Sequence, residues 1–500
     1  MTDVRVRPYY VDGSWEQSAS AGWIDVENPA TETIIGRVPR CGAAEVERAV
    51  KAARRAFPGW RALTPHRRAE YLRAAGTVLA QRRDDVARTV TAEMGKPLDE
   101  ARGEVDKVVR TLFFYAEEAV RVLGQTIPND EPGFFSMVQR EPIGVAAAIA
   151  PWNYPVELLG WKLGGGLAAG CTLVMKPASK TPMSAVALVE CLDAAGLPPG
   201  VVNLLTGDSR MGEALITHPD VDKIAFTGSQ EVGERIFRIM GGIKSVALEL
   251  GGNCPLLVAP HADLAAAVKG AVRRSFRNMG QICVAINRVY VHRPLYTDFL
   301  EQVSRAAQAL TIADGLERPS ADLGPMADAA GVAKTRAHIE DAVSKGARLV
   351  CGGSRPEGFR RGHFFQPTVL ADCTPDMLIM SSETFGPVIG VSAFDALDEA
   401  IRLANDSPMG LVAYAYSDDL GEVFTLSDQL AFGSVGINCV DAGIIGAPYG
   451  GRRKSGIGYE HGREGMEGYL VLKHVRVRHG VGVKKASGAP AGAAATREEA

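Results

Sequence analysis

The sequence predicts an α/β protein made of two parallel-sheet bodies and a β-ribbon arm, and three observations carry that expectation. From about residue 145, short apolar runs alternate with helical patterns, the texture of strands buried under helices. The same texture starts again after Gly251-Gly252. Two alternating segments, Phe134 to Arg140 and Tyr469 to Arg478, read as ribbon strands standing outside both bodies.

Taken in order, residues 43–57 put Val46, Ala49, Val50, Ala53 and Phe57 on one helical stripe, with Glu45, Glu47, Lys51, Arg54 and Arg55 on the other face. This predicts a surface helix. Val145 to Ala150, Leu173 to Met175, Val201 to Leu205 and Ile224 to Phe226 are the strands of the first sheet. A helix over 182–195 is punctuated by Pro182 at its start and by Gly196 and Pro198 behind it. The second body has helices around 262–274, 295–310 and 331–346 and strands near 348–351 and 410–416, with a domain boundary at 255–260. In the final ribbon strand Leu470, Leu472, His474 and Arg476 alternate with Val471, Val475 and Val477, which predicts one buried face. Arms of this kind build oligomers by strand addition. Residues 481–500, rich in Ala, Gly, Lys and Glu, predict a disordered tail.

A chain of 500 residues exceeds one ordinary core, so roughly two to four domains are expected. With 46% hydrophobic and 23% charged residues and a net charge of −3, nothing points to nucleic acid as a partner. Eight cysteines are scattered without a C-x-x-C pair or a histidine cluster, which predicts a reducing compartment and no metal site. The N-terminal residues lack the apolar core of a secretory signal, and no apolar run reaches the ~18 residues of a membrane span. A cytoplasmic location follows as an expectation.

The chemistry concentrates at Cys283, reached through Gly280-Gln281 and preceded by the carboxylate Glu249 at 283 − 249 = 34 positions upstream. A thiolate attacks an electrophilic carbon, and a carboxylate on a neighbouring segment activates the water that releases the acyl group. By residue type alone a cysteine is a small buried hydrophobe, the reading kept for the other seven. Arg273, Arg274 and Arg277 are candidate stabilisers of the thiolate, and Gly251-Gly252 after Glu249 lets backbone approach a ligand. Phe226-Thr227-Gly228-Ser229 ends a strand and opens a helix with Ser229 as N-cap; with Gly228 and Gly233 nearby it is either an anion site or a capped helix without ligand. Gly456-Ile457-Gly458 with Gly462 follows no strand and is rejected as a dinucleotide fingerprint.

Phe226-Thr227-Gly228-Ser229, Glu249-Leu250-Gly251-Gly252, Gly280-Gln281-Ile282-Cys283 and Glu383-Thr384-Phe385-Gly386-Pro387 together resemble the aldehyde dehydrogenase superfamily. They occur in that family's order, with Pro151-Trp152-Asn153-Tyr154-Pro155 upstream and Pro448-Tyr449-Gly450-Gly451 and Ser455-Gly456 downstream, so the resemblance spans nearly the whole chain. It implies a Rossmann-like NAD(P)-binding domain over 1–125 and 143–256, a catalytic domain over 257–445, and an oligomerisation arm from 126–142 and 466–480. It further implies a homodimer or homotetramer. In the implied reaction Cys283 attacks an aldehyde, hydride passes to NAD or NADP, and Glu249-activated water hydrolyses the thioester. The Asn153 amide and the Cys283 N–H would hold the oxyanion.

By the same resemblance Lys176 and Glu383 hold the ribose hydroxyls, Phe385 packs by the nicotinamide with Trp152, and Gly228, Ser229 and Gly233 surround the pyrophosphate. NAD-preferring relatives carry glutamate where this chain has Ser179, followed by Lys180, which favours tolerance of NADP. Overall texture is similar to the succinic semialdehyde dehydrogenases, Arg277 included. Trp161, however, replaces their second carboxylate-binding arginine, and the loop Cys439 to Ala447 lacks their anchoring serines. Tyr154, Leu158, Trp161 and Tyr449 around the entrance favour a hydrophobic or aromatic aldehyde, with Glu157 read as a solvated surface acid. Two alternatives have discriminating tests. A non-catalytic cofactor-binding scaffold would reduce no nicotinamide, and acyl transfer to coenzyme A would require that thiol and is disfavoured by Glu249.

Overall fold

The computed structural model describes residues 5–17 and 21–479; the tail expected to be disordered lies outside the described residues. Its first sheet has eight strands in the order Ser14–Glu16, Tyr9–Val11, Val202–Leu204, Thr172–Lys176, Val145–Ile149, Lys223–Thr227, Ser245–Glu249, Gly456–Ile457. The five from Val202–Leu204 to Ser245–Glu249 are parallel. Every residue of Val145–Ile149 and Thr172–Lys176 is buried, as expected of strands covered on both faces. The helix Pro182–Ala194 follows its Pro/Gly punctuation. The first predicted surface helix runs further, over Ala43–Ala62. Glu45, placed on its solvent face by the periodicity, is instead buried and accepts the Gly42 N–H at 2.6 Å. A carboxylate in the first helical turn does more for the unpaired amides there than it does in water.

The strand order reverses between Val145–Ile149 and Lys223–Thr227, and loops leaving such a switch point part to form a crevice at the carboxyl ends of the strands. Trp152 and Asn153 follow the first of these strands; Gly228 and Ser229 follow the second. A second sheet of seven strands takes the order Arg348–Cys351, Thr368–Ala371, Val388–Phe394, Ile286–His292, Cys254–Val258, Val412–Tyr416, Ser434–Ile437, all parallel but for the first. The chain crosses between sheets at 250–253, slightly before the expected boundary at 255–260, because Cys254–Val258 is a strand and stays whole within one sheet. Cys283 stands just before Ile286–His292, so it faces the carboxyl edge of the first sheet from the amino edge of the second.

The ribbon strands pair antiparallel over nine residues, from Leu470 opposite Pro142 to Arg478 opposite Phe134, with Gln125–Ile127 as a third strand. The buried face predicted for Leu470–Arg478 is not found. Val471, Leu472 and Val477 are 43%, 70% and 45% exposed, because no described element of this chain covers the ribbon there.

One buried ion pair ties the helical layer to the crevice. Lys96 precedes the helix Leu98–Ala119, and its ammonium donates to Glu104 at 2.5 Å and to the Asn153 carbonyl at 2.8 Å. The other Glu104 oxygen accepts the N–H groups of Val156 and Glu157 at 3.0 and 3.2 Å, at the start of the helix Glu157–Ala169. Both side chains are fully buried. Lys96→Met strands the Glu104 charge and is expected to cost about 3–5 kcal/mol of stability. The urea midpoint measures it, and Lys96→Met with Glu104→Leu is expected to recover part of the loss.

Candidate active site

Cys283 is presented by a strained turn. Asn278, Met279 and Gly280 take φ of 50°, 58° and 68° in succession, a left-handed run that side chains other than glycine adopt at a cost. A Cβ on Gly280 would stand 2.2 Å from the Gly386 carbonyl oxygen. Side-chain amides hold the turn: Asn278 donates to the carbonyls of Asn153 and Gln281 at 3.1 and 3.3 Å, and Asn153 donates to the Gln281 carbonyl at 2.9 Å. Gln281 donates to the Asn278 carbonyl at 2.9 Å and accepts the Ala327 N–H at 2.9 Å. The half-buried sulfur of Cys283 lies 3.3 Å from the Tyr449 hydroxyl. Burial pushes the thiol up to about 12; Tyr449 opposes this, and the carboxylates of Glu383 and Glu249 add to it.

The three arginines proposed to stabilise the thiolate are engaged elsewhere. Arg273 and Arg274 pair with Asp441 at 2.8 and 2.7 Å, and Arg277 pairs with Glu100 at 3.0 Å. Each guanidinium lies against a carboxylate, and none is among the groups that shift the thiol most.

Two cavities meet at the sulfur. One of about 330 Å³ is lined by Trp152, Lys180, Gly228, Ser229, Glu383 and Phe385; the other, about 550 Å³, by Tyr154, Glu157, Trp161, Arg277, Tyr449 and His461. Asn153, Leu158 and Cys283 line both.

On the smaller cavity Ser229 caps the helix Gln230–Ile239, its hydroxyl accepting the Val232 N–H at 3.4 Å. Gly233 does not line this cavity; a Cβ there would stand 2.6 Å from Leu250, so its smallness serves helix packing. Glu383 accepts the Gly252 N–H at 2.9 Å, and a Cβ on Gly251 would lie 2.5 Å from its other oxygen. The glycine pair thus makes room for this carboxylate, which burial pushes up to about 7. Phe385 stands edge-on to Trp152, with ring centroids 5.5 Å apart. Lys176 and half-buried Ser179 are not on the lining. Lys176 is buried, donates to the Pro177 carbonyl at 3.3 Å and is lowered by burial to about 8. Lys180, expected to attract a 2′-phosphate, is held by Asp328 across the crevice and sits 5.2 Å from the Trp152 ring.

Glu249 ends the strand Ser245–Glu249 and is 3% exposed, with neither carboxyl oxygen hydrogen-bonded among the described residues. Burial raises it well above the usual carboxylate range; Glu460 adds to the shift and Lys162 opposes it. Lys162 donates to Thr227 at 2.6 Å and to Glu460 at 2.5 Å. Sequence reasoning missed this pair. Its signal was a lysine inside the glycine-rich, apolar helix Glu157–Ala169, where a buried cation requires a partner.

On the larger cavity Tyr449 and Trp161 meet edge-on at 5.4 Å, and Trp161 meets His461 at 4.1 Å. Tyr154 donates to Glu100 at 2.9 Å, sharing that carboxylate with Arg277. Glu157 is not solvated: it is 4% exposed and pairs with Lys107 at 3.0 Å, because the helix it opens is buried along its length.

Comparison with known proteins bears on this arrangement. The profile of the Aldehyde dehydrogenase family matches residues 15–475. The chain belongs to the aldehyde dehydrogenase family. Its reaction class is therefore oxidation of an aldehyde with NAD or NADP. It is 46% identical over 471 residues to a glutarate-semialdehyde dehydrogenase of Pseudomonas aeruginosa, covering 93% of this chain and 96% of that one. It is 44% identical over 470 residues to the NADP(+) succinate-semialdehyde dehydrogenase GabD of Escherichia coli, with the same two coverages of 93% and 96%. A crystal structure of an E. coli NADP dependent enzyme superposes with a TM-score of 0.93 at 43% identity, covering 96% of this chain and 100% of that one.

Within this aldehyde dehydrogenase, Tyr449→Phe removes the one hydroxyl that lowers the Cys283 thiol. The pH at which iodoacetamide alkylates Cys283 at half its maximal rate is expected to rise by about one unit.

Proposed function

We propose that Cys283 is the nucleophile, Glu249 the general base and Asn153 an oxyanion donor of this oxidation. The observation that carries the reading is the position of the Cys283 sulfur where both cavities meet, with Asn153 beside it. The thiolate forms a C–S bond to the aldehyde carbon, and the oxygen becomes an anion held by the Asn153 amide and the Cys283 N–H. NAD or NADP, when bound, supplies the acceptor for the hydride that this carbon loses. Cys283 then carries the acyl group as a thioester. Glu249 takes a proton from water, the oxygen adds to the acyl carbon, the C–S bond breaks, and the acid leaves as the thiolate returns.

The smaller cavity fits that cofactor in chemistry. The N-terminus of the helix Gln230–Ile239, with Gly228 and Ser229, would hold the pyrophosphate; Glu383 would hold ribose hydroxyls together with Lys176, which stands off the lining, and Trp152 and Phe385 would wall the nicotinamide. Gly233 acts through helix packing. With Lys180 engaged by Asp328, tolerance of a 2′-phosphate rests on Ser179, which lacks the repelling carboxylate.

The aromatic wall of Tyr154, Trp161 and Tyr449 favours a hydrophobic or aromatic aldehyde. A second reading, a succinic or glutaric semialdehyde, is favoured by the relatives' substrates and by five lining cations (Lys107, Arg110, Arg273, Arg274, Arg277) against Glu157 and Asp441. kcat/KM over aromatic and semialdehyde substrates with both cofactors decides between them. The exposed apolar face of the ribbon supports a homodimer or homotetramer, and eight free cysteines accord with a cytoplasmic location.

Cys283→Ala is expected to abolish reduced-cofactor formation, and wild-type turnover in that variant would refute the nucleophile. Glu249→Gln is expected to give one early burst of reduced cofactor and then stall, seen by stopped-flow absorbance. Because the base works only as the carboxylate and its pKa is raised, deacylation should quicken as pH rises through that pKa and fade below it. Glu249→Gln should flatten that limb of the profile.

A further inference from the structure

The segment Glu383-Thr384-Phe385, which the proposed function sets against the nicotinamide half of the cofactor, is tied to the rest of the chain at few points. None of its backbone N–H or carbonyl groups makes a backbone hydrogen bond among the described residues. Phe385 nonetheless takes φ 56°, a left-handed conformation unfavourable for a bulky side chain. Such strain persists only where the surroundings over-determine it. Two side-chain hydrogen bonds do so here. Glu383 accepts the Gly252 N–H at 2.9 Å, and the Thr384 hydroxyl shares a hydrogen bond of 3.0 Å with Nδ1 of His338. Thr384 and His338 are 1% and 5% exposed, so water does not compete for that bond.

His338 belongs to the helix Ala329–Ser344, which is anchored at both ends. At its start Asp328 accepts the Gly331 N–H at 2.7 Å, and the Ala327 N–H donates to Gln281, in the turn before Cys283, at 2.9 Å. Towards its end Asp341 accepts the Leu378 N–H at 2.7 Å. The same helix face meets the segment a second time: a Cβ on Gly386 would stand 2.1 Å from the Thr335 hydroxyl oxygen. Thr335 and His338 are three positions apart and so neighbours on one face. The helix is therefore a fixed post behind the cofactor segment. Thr384 lines the smaller cavity and His338 does not, so His338 can act on a ligand there only through Thr384.

We infer that His338 is a positioning residue of the oxidation: its hydrogen bond to Thr384 fixes Glu383 and Phe385 in the conformation that seats the nicotinamide ribose and ring. The inference rests on the reading of Glu383 and Phe385 as contacts of that half of the cofactor. Hydride transfer is steep in distance, and a misplacement of about 1 Å costs on the order of 10²-fold in rate.

The test compares wild type, His338→Leu, His338→Asn and Thr384→Val with NAD and NADP, using whichever of benzaldehyde and succinic semialdehyde the wild type oxidises faster. His338→Leu removes the hydrogen bond from one side and Thr384→Val from the other, while Asn supplies both a donor and an acceptor near the δ position. His338→Leu and Thr384→Val are each expected to raise the cofactor Kd, measured by calorimetry without aldehyde, about tenfold, and to slow the single-turnover burst of reduced cofactor about tenfold or more. With the aldehyde deuterated at its carbonyl carbon, the isotope effect on that burst should grow. The double variant should do no more harm than either single one, and His338→Asn should stay within about threefold of wild type. Alkylation of Cys283 by iodoacetamide, which needs no cofactor, should keep its wild-type rate.

An unchanged Kd and burst rate in His338→Leu and Thr384→Val overturn the inference. So does an equal loss of cofactor binding, burst amplitude and alkylation without rescue by His338→Asn, the pattern of a fold defect; Thr384→Val decides where His338→Leu does not fold. If Glu383→Ala leaves the cofactor Kd at its wild-type value, the cofactor reading falls and the inference with it. A raised Kd in Glu383→Ala beside unaffected His338 and Thr384 variants sinks the inference alone.

Discussion

The crevice is held together by an ammonium that never meets water. Lys96 reaches Glu104, the Asn153 carbonyl and the face of the Tyr154 ring, 3.5 Å from its centroid, while Glu104 takes the first amides of the helix Glu157–Ala169. Asn153 then donates to Gln281, two residues from the sulfur. Each member is buried, so no water can replace a lost partner. The turn carrying Asn153 and the turn carrying Cys283 therefore keep a common geometry although they belong to different sheets.

Four of the five cations that line the larger cavity are paired with a carboxylate. A cation facing a low-dielectric cavity is costly unless a carboxylate lies against it, and Arg273, Arg274, Arg277 and Lys107 each have one. Glu249, which lines neither cavity, lacks such a partner among the described residues: its carboxyl is buried, unbonded there and raised, with Lys162 favouring its charge and Glu460 opposing it. A carboxyl kept this basic takes up a proton readily, the property a base for water requires.

Much of the fold was legible because it rests on local patterns. Apolar runs without alternation became buried parallel strands, and the Pro182 and Gly196 punctuation bounded its helix. Cys283, Glu249 and Asn153 stood out through their neighbours in sequence. Less legible were pairings between distant residues. Nothing near Arg277 announces Glu100, and nothing near Lys180 announces Asp328, 148 positions away. Alternation in Leu470–Arg478 marked a strand correctly and misjudged its burial, since periodicity reports two faces without saying what covers either.

By itself the sequence determined the residue chemistry of this protein: a thiol after a glycine turn, a carboxylate before two glycines, and the strands and helices that local patterning encodes. Tertiary structure decided which charges are spent on one another and which polar groups stay unpaired in the interior among the described residues. The physical reason is that a side chain's ionisation and hydrogen bonding follow from its desolvation and its nearest partners. Those partners, as for Lys96, Lys180 and Arg277, come from segments that only folding brings together.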